Sequence, residues 1–354
     1  MEEQFLDILE RQPELLAHHL TAAGATERAV GQWLKAGKYA AERVAHVEAI
    51  GHFGRGLALL GSLPGSQNRD RREIELQLAR GISSLTAEGL GSSEAAEAFA
   101  RARELCETTG DTDRLFVALW NSWLNTSRRD IGAARRLSDR LLILTKTQSD
   151  SALRLEAHHS AWFTRFYAGE PSPARSHCDE GRGLYDFERH RSLALSYGGH
   201  DPGVCARQTG AWSEWLLGYP DRALASIRDA VHLAERLGHP LSLDIAYLYE
   251  AVIHLFRREP DMALQRAHAA EVLAAEQRLA LNLEPNILRG GALLAQGAID
   301  RAVASMQEGI AAAAVWQLYR PYHLALYAEA LGRVGDYDGA LTALADALDG
   351  MESR

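Results

Sequence analysis

The chain has 354 residues, a net charge of −9, 47% hydrophobic residues and only 10 prolines. That length allows two domains or one extended array, and because alanine and leucine outnumber the strand-formers the expectation is helix. Of the 38 basic residues 35 are arginine, the lysines being Lys35, Lys38 and Lys146, and no basic cluster stands out, which argues against nucleic acid as a partner.

No apolar run approaches the roughly 20 residues that span a bilayer, so no membrane role is expected. The start, Met1-Glu-Glu-Gln-Phe-Leu-Asp7, lacks the basic flank and apolar segment of a signal peptide, and the expected compartment is the cytoplasm. Cys106, Cys178 and Cys205 lie far apart with no Cys-x-x-Cys spacing. They read as reduced, small apolar residues, neither a disulfide nor a zinc framework.

In chain order, the first expected element is a capping helix near residues 11–23. A self-similar pattern then runs to the end. Gly335-Asp-Tyr-Asp-Gly-Ala340-Leu matches Gly297-Ala-Ile-Asp-Arg-Ala302-Val, and Gly218-Tyr-Pro-Asp-Arg-Ala-Leu224, Glu259-Pro-Asp-Met-Ala-Leu264 and Gly169-Glu-Pro-Ser-Pro-Ala-Arg175 keep its spacing. The pivot alanines are Ala49, Ala95, Ala134, Ala174, Ala223, Ala263, Ala302 and Ala340, with gaps of 46, 39, 40, 49, 40, 39 and 38 residues. A period of about 40 with a helix-length segment on each side of a turn specifies stacked helical hairpins. Alanine at the pivot lets two helices approach, and Gly or Pro before it ends one helix and starts the next. Four residues on, Phe53, Phe99, Ile227, Met306 and Leu344 fall on the same helix face and are expected to fill the space between helices.

Trp33-x-x-Ala36-Gly37-x-x-Ala40, followed by Ala49, Phe53, Gly56 and Pro64, resembles the tetratricopeptide repeat, although the units are longer than that repeat's usual length. More narrowly, Leu16-Ala-His-His-Leu-Thr-Ala-Ala-Gly24, Ala29-Val-Gly-Gln-Trp-Leu-Lys-Ala-Gly37, His200-Asp-Pro-Gly-Val204 and Trp215-Leu-Leu-Gly-Tyr-Pro-Asp-Arg-Ala-Leu224 resemble the C-terminal repeat region of large bacterial regulators. Those proteins carry a nucleotide cyclase or winged-helix domain, then a STAND-type ATPase, then such repeats. The resemblance covers almost the whole chain and implies an all-α, right-handed superhelical solenoid of about eight hairpins, one repeat domain over residues 1–354. No Gly-x-x-x-x-Gly-Lys-Ser/Thr loop cradles phosphate and no strand-rich segment could hold a cyclase. The expectation is therefore the repeat module alone, as a natural short protein or as a piece of a longer regulator, with no cofactor.

The residues that suggest chemistry are weighed against simpler roles. Asp201-Pro202 reads as a helix start, the carboxylate accepting from free N–H groups and the proline suiting the first turn. His200-Asp201 lacks a nucleophile at local spacing, and Cys205, one turn on, has no oxyanion motif beside it. Adjacent histidines, His18-His19 and His158-His159, point about 100° apart on a helix, so no metal ligand set is expected from them.

The aromatic residues carry more information. Trp120, Trp123, Trp162, Trp212 and Trp215 cluster in the middle of the chain with Phe163, Phe166, Tyr167, Tyr247 and Tyr249. The resemblance implies that the first helix of each hairpin lines the concave surface. Counting back from the pivots then puts Leu119 and Trp123, then His159, Phe163 and Phe166, then Gln208, Trp212 and Trp215, then Leu248, Val252 and Leu255 on that face. Spacing of i, i+4, i+7 makes each set one stripe, and stacked stripes make an apolar groove with Arg165, Arg207, Glu214 and His200 at its rim. The 49-residue gap leaves an extra loop near residues 188–200, and insertions in repeat arrays often lie on the binding face. The expected function is non-enzymatic binding of a protein, peptide or small-molecule ligand, with a homodimer also open. The alternative is an enzyme using the same groove, with His159, Arg165, His200 or Glu214 as acid–base residues. Inter-repeat packing competes for the aromatic residues, and a third possibility is a purely structural assembly surface, signalled by oligomers that bury the groove.

Overall fold

Each hairpin needs its two helices close enough to share a core, and the sequence supplies a small residue at the place where they touch. The computed structural model describes residues 12–146, 148–195, 197–277, 279, 285–312 and 318–352. Those residues form 18 helices and no strand. Helix α1 (Pro13–Ala22) is followed by eight hairpins: α2 (Thr26–Glu42) with α3 (His46–Leu60), α4 (Gln67–Glu88) with α5 (Ser93–Thr109), α6 (Thr112–Thr126) with α7 (Ile131–Thr145), and α8 (Ser151–Tyr167) with α9 (Pro171–Leu184). A short helix, α10 (Phe187–His190), precedes α11 (Pro202–Leu216) with α12 (Pro220–Leu237), α13 (Pro240–Phe256) with α14 (Pro260–Gln277), α15 (Pro285–Ala295) with α16 (Ile299–Ala312), and α17 (Arg320–Val334) with α18 (Tyr337–Glu352). The fold is that of a tetratricopeptide-type helical solenoid. Of the expected cap, residues 12–23 are described and residue 11 lies outside them.

The chain divides into two compact units, one of Met1–Arg128 with Gly132–Leu144, the other of Arg129–Ile131 with Thr145–Arg354. In the first, α1 packs on α2: Trp33 Nε1 donates to Thr21 Oγ1 at 3.1 Å and His18 meets the Trp33 indole edge-on. Local chemistry starts the later helices. Ser66, Ser92 and Asp111 accept backbone N–H groups at the N-termini of α4, α5 and α6, satisfying donors that have no intrahelical partner.

Seven of the eight pivot alanines are fully buried and Ala340 nearly so. In the first, second and seventh hairpins the residue four positions later is the knob, and a glycine on the partner helix is its socket. A Cβ on Gly37 would come within 2.2 Å of the Phe53 ring, on Gly81 within 2.5 Å of Phe99, and on Gly290 within 2.4 Å of Met306. The fourth hairpin reverses the arrangement. Cys178 stands at its knob position, and the bulky residue is Trp162 on the first helix, against Gly181 on the second. The volume is conserved while its source changes helix. Leu344 departs from the expectation of an interhelical filler: it is 41% exposed and belongs to an apolar stripe with Tyr337, Leu341 and Leu348 that no described element covers.

In the second unit, first helices of successive hairpins touch directly, α8 with α11, α11 with α13, α13 with α15 and α15 with α17. Among the described residues, direct contact between successive second helices is at most slight. The first helices thus form the closer-packed layer, whose outward side is the inner face of this unit. The insertion expected as a loop near 188–200 is partly folded: α10 and a 3-10 turn at Leu193–Leu195 occupy it, with His190 and Ala194 buried, and residue 196 lies outside the described residues.

The knob-and-socket pairs make a direct prediction. Gly37→Ala gains about 1 kcal/mol of helix propensity but overpacks the Phe53 ring at a cost of about 1–3 kcal/mol. Urea denaturation should show a net loss of stability, and a double-mutant cycle with Phe53→Leu should give a favourable coupling, because the shorter side chain vacates the space the new methyl needs.

Candidate functional site

The second unit carries the groups that could recognise or hold a ligand. Helix α11 is fixed at its start by Asp201, whose Oδ1 accepts the Val204 N–H at 2.9 Å and whose Oδ2 accepts the Tyr185 hydroxyl at 3.0 Å. The Asp201 N–H donates to Ser242 Oγ on α13. Asp201 is therefore a buried cap, and this anchoring sets which residues of α11 face the inner side.

From there an aromatic surface runs across the first helices. The Phe163 and Phe166 rings pack against Tyr167 at 4.5 and 5.2 Å between centroids, and Phe166 meets Trp212 at 5.8 Å. Trp212 stacks on Tyr249 at 4.1 Å, and its Nε1 donates to the Tyr249 carbonyl at 3.4 Å. One turn on, Trp215 stacks on Phe256 at 5.3 Å, and Phe256 meets Tyr322 edge-on. Phe163, Phe166, Trp212, Trp215, Phe256 and Tyr322 are all half-buried, each keeping part of its surface open to solvent. Leu248, Val252 and Leu255 pack beneath this layer with Trp212 and Tyr322.

At the centre of the surface three phenols meet. The Tyr249 and Tyr319 hydroxyls are 2.8 Å apart, and Tyr167 donates to the Tyr319 hydroxyl. Burial, and then the neighbouring phenols, push Tyr167 and Tyr249 well above the ordinary tyrosine value, so both stay neutral hydrogen-bonding groups. Tyr319 was not legible as a site residue, because it precedes α17 as its N-cap and belongs to no stripe counted from the pivots.

Beside this surface, toward the start of α8, lies a polar cluster. His159, His200 and Cys205 each offer a donor atom, all within 4.8 Å of one another. His159 Nδ1 bonds Glu156 Oε2 at 2.9 Å, both side chains being buried, and its ring stacks on Trp162 and meets His200 edge-on at 5.0 Å. His200 Nδ1 bonds the Gly198 carbonyl at 3.0 Å. Burial opposes a charge on Cys205, but the two imidazoles outweigh it and hold the thiol well below its ordinary value. Burial likewise opposes charge on His159, and the Cys205 thiolate and Glu156 outweigh it, holding the imidazole up at about 10. Burial raises Glu156. The adjacent histidines diverge as their spacing requires: His158 turns instead to His177, Nδ1 to Nδ1, at 3.0 Å.

Several expected groove residues lie elsewhere. Trp123 is packed in the interior of the first unit, edge-on to Trp120, and is 2% exposed. His159 and Gln208 are buried, and the Gln208 amide Nε2 has no partner among the described residues. Glu214 is no rim residue: it is buried, accepts from Ser226 Oγ at 2.8 Å and lies 3.5 Å from Arg175, which turns it toward α9 and α12. Arg207 turns back to the Gly203 carbonyl and over the Tyr185 ring, and Arg165 reaches Glu170 at 4.0 Å. Of the four acid–base candidates, His159 and His200 meet, while Glu214 turns away toward α9 and α12.

No family model matches the chain. An uncharacterized protein of Rhizobium meliloti (strain 1021) is 24% identical over 340 residues, a match covering 94% of this chain and 33% of that protein. The chain thus spans about a third of the length of this curated relative. Among solved structures, the apo form of the quorum sensor NprR from B. thuringiensis is similar with a TM-score of 0.68 and 10% identity, over 99% of this chain and 97% of that one. A Rap protein complexed with Competence and Sporulation Factor is similar with a TM-score of 0.58 and 11% identity, over 93% and 100%. A STAND protein with a tetratricopeptide repeat sensor from Pyrococcus horikoshii gives 0.52 and 10%, over 86% and 49%. These likenesses establish the class, a tetratricopeptide-type helical-repeat protein. Among the described residues no helix is long and apolar enough to cross a membrane.

His323 flanks the aromatic surface beside Tyr319 and Tyr322, and burial holds its imidazole down to about 4. Above pH 6.5 it is neutral in both folded and unfolded chains. Between 6.5 and 4 only the unfolded chain takes up the proton, so stability falls as pH drops, by up to about 3 kcal/mol. The difference in unfolding free energy between the parent and His323→Gln, measured from pH 8 to pH 4, should show this loss in the parent alone.

Proposed function

We propose that this chain is a recognition module of a regulatory protein, and that it engages a protein or peptide segment on the aromatic inner face of its second unit without chemistry of its own. The observation that carries the reading is the half-buried row Phe163, Phe166, Trp212, Trp215, Phe256 and Tyr322, drawn from the fourth, fifth, sixth and eighth hairpins and interrupted at its centre by the Tyr167, Tyr249 and Tyr319 hydroxyls. Partly open aromatic side chains held rigid by their neighbours give contact area at low entropic cost, and phenols among them give a peptide backbone groups to pair with. The face is also wider than one helix, as an extended or helical segment requires. A quorum sensor, a Rap protein seen with Competence and Sporulation Factor and a STAND protein with a repeat sensor share the fold. Extending such a sensory role to this chain, and a larger regulator around it, belongs to the proposal.

A displayed library of random peptides, panned on the parent protein, should enrich sequences with apolar anchors. Trp212→Ala should weaken the enriched peptides by about 2 kcal/mol, roughly thirtyfold, as for an aromatic hot spot. Its cost in stability should stay near 2 kcal/mol, because the side chain is only half-buried, and Phe163→Ala should follow it. Ala211→Leu, at a fully buried position in the α11–α13 core, should lower stability with no separate effect on the affinity of the folded fraction. No enrichment, or equal binding by Trp212→Ala, would refute the reading. Selection of small organic molecules and no peptides would move the module to ligand sensing.

A further inference from the structure

We propose that His159, His200 and Cys205 form a binding site for a zinc ion, which pins the insertion between the fourth and fifth hairpins onto the second unit. This goes beyond the recognition face and does not depend on it. The three donor atoms come from separate parts of the chain: His159 from the middle of α8, His200 from the end of the insertion, and Cys205 from the first turn of α11. Their mutual distances, all within 4.8 Å, allow one ion to reach all three with bonds of about 2.0–2.3 Å after a small contraction.

Second partners orient both imidazoles. Nδ1 of His159 is engaged by the Glu156 carboxylate and Nδ1 of His200 by the Gly198 carbonyl. Each contact occupies Nδ1, and the Cys205 thiol hydrogen-bonds both imidazoles, so the three donors already face one another with the rings held from behind, the arrangement that fixes metal-bound histidines. Glu156 supplies an independent sign. It is fully buried, and its second oxygen, Oε1, has no hydrogen-bond partner among the described residues. An unpaired carboxylate oxygen deep in a fold is costly, and a cation held by His159, whose Nδ1 the same carboxylate engages, offsets that cost.

The donor set selects the metal. Two imidazoles and a thiolate suit zinc and exclude calcium and magnesium, which take oxygen ligands. A divalent ion also balances one thiolate and one carboxylate, leaving the buried site neutral. Trp162 shields one side through its stack on His159, Leu193 of the insertion packs on the same apolar cluster as Cys205, and half-buried His200 leaves a way in from solvent. Three protein ligands leave a fourth position for water. Binding releases to solvent the proton that the His159 imidazole and the Cys205 sulfur hold between them, with no redox step.

The test is titration of the metal-free chain with Zn²⁺ against a chromophoric chelator, and with Co²⁺ as a spectroscopic probe. The expected result is one ion per chain with Kd below about 1 µM, and a cobalt form showing the near-ultraviolet charge-transfer band of a thiolate ligand. Cys205→Ala should abolish that band and weaken zinc at least about a hundredfold, His200→Asn should do the same from a half-buried position that tolerates change, and Glu156→Gln should weaken zinc about tenfold to a hundredfold while keeping the band. His158→Gln should change nothing, since His158 pairs with His177. Absence of stoichiometric zinc at 100 µM free ion, cobalt bound without the thiolate band, or unchanged affinity in both His200→Asn and Cys205→Ala would each overturn the site. Rapid alkylation of Cys205 in a protein that binds no metal would also overturn it, identifying the cluster as a reactive thiol.

Discussion

Everything in this protein depends on how closely two helices of one hairpin can approach. In four hairpins the distance is set by a bulky knob on one helix seated where its partner has no side chain, as Phe53 sits over Gly37 and Phe99 over Gly81, and in the others a buried alanine at the pivot lets the helices close. If the socket were filled, the helices would separate, and the first helices of neighbouring hairpins would lose the direct contact that makes them a layer. The aromatic face exists because that layer is tight enough to bring aromatic residues of neighbouring hairpins within stacking distance. In the fourth hairpin the knob moves to Trp162 on the first helix, and this has a second consequence. The same indole that fills the Gly181 socket also stacks on His159, so the packing element of that hairpin doubles as the wall of the polar cluster.

Much of the fold was legible because it is written in local periodicity. The pivot alanines report their own burial, since a residue that recurs about every 40 positions at the start of a second helix has little to do except pack. Asp201-Pro202 was equally readable: the pair is a helix start on chemical grounds and Asp201 caps α11 in the structure. The stripes at Phe163 and Phe166, at Trp212 and Trp215, and at Leu248, Val252 and Leu255 also come together, because spacing of three and four residues fixes a helix face before any tertiary contact forms.

The remainder was not legible for one physical reason: it depends on residues that meet across hairpins. Glu214 looked like a rim residue from its helix position, but Ser226 and Arg175 draw it the other way. Tyr319 joins Tyr167 from 152 residues away in sequence and Tyr249 from 70. Local spacing gave no metal-binding pair at His158-His159, and that argument about adjacent histidines holds. It could not register that His159 alone would be met by Cys205 at the start of α11 and by His200, delivered by an insertion whose length was visible and whose path was not.

The central claim is that recognition takes place on the first-helix layer of the second unit, and hydrogen–deuterium exchange on the protein with and without a selected peptide tests it most directly. The account predicts slower exchange confined to the peptides covering α8, α11, α13 and α17, with α9, α12, α14 and α18 unchanged. Protection centred on the second helices, or on the first unit alone, would contradict it.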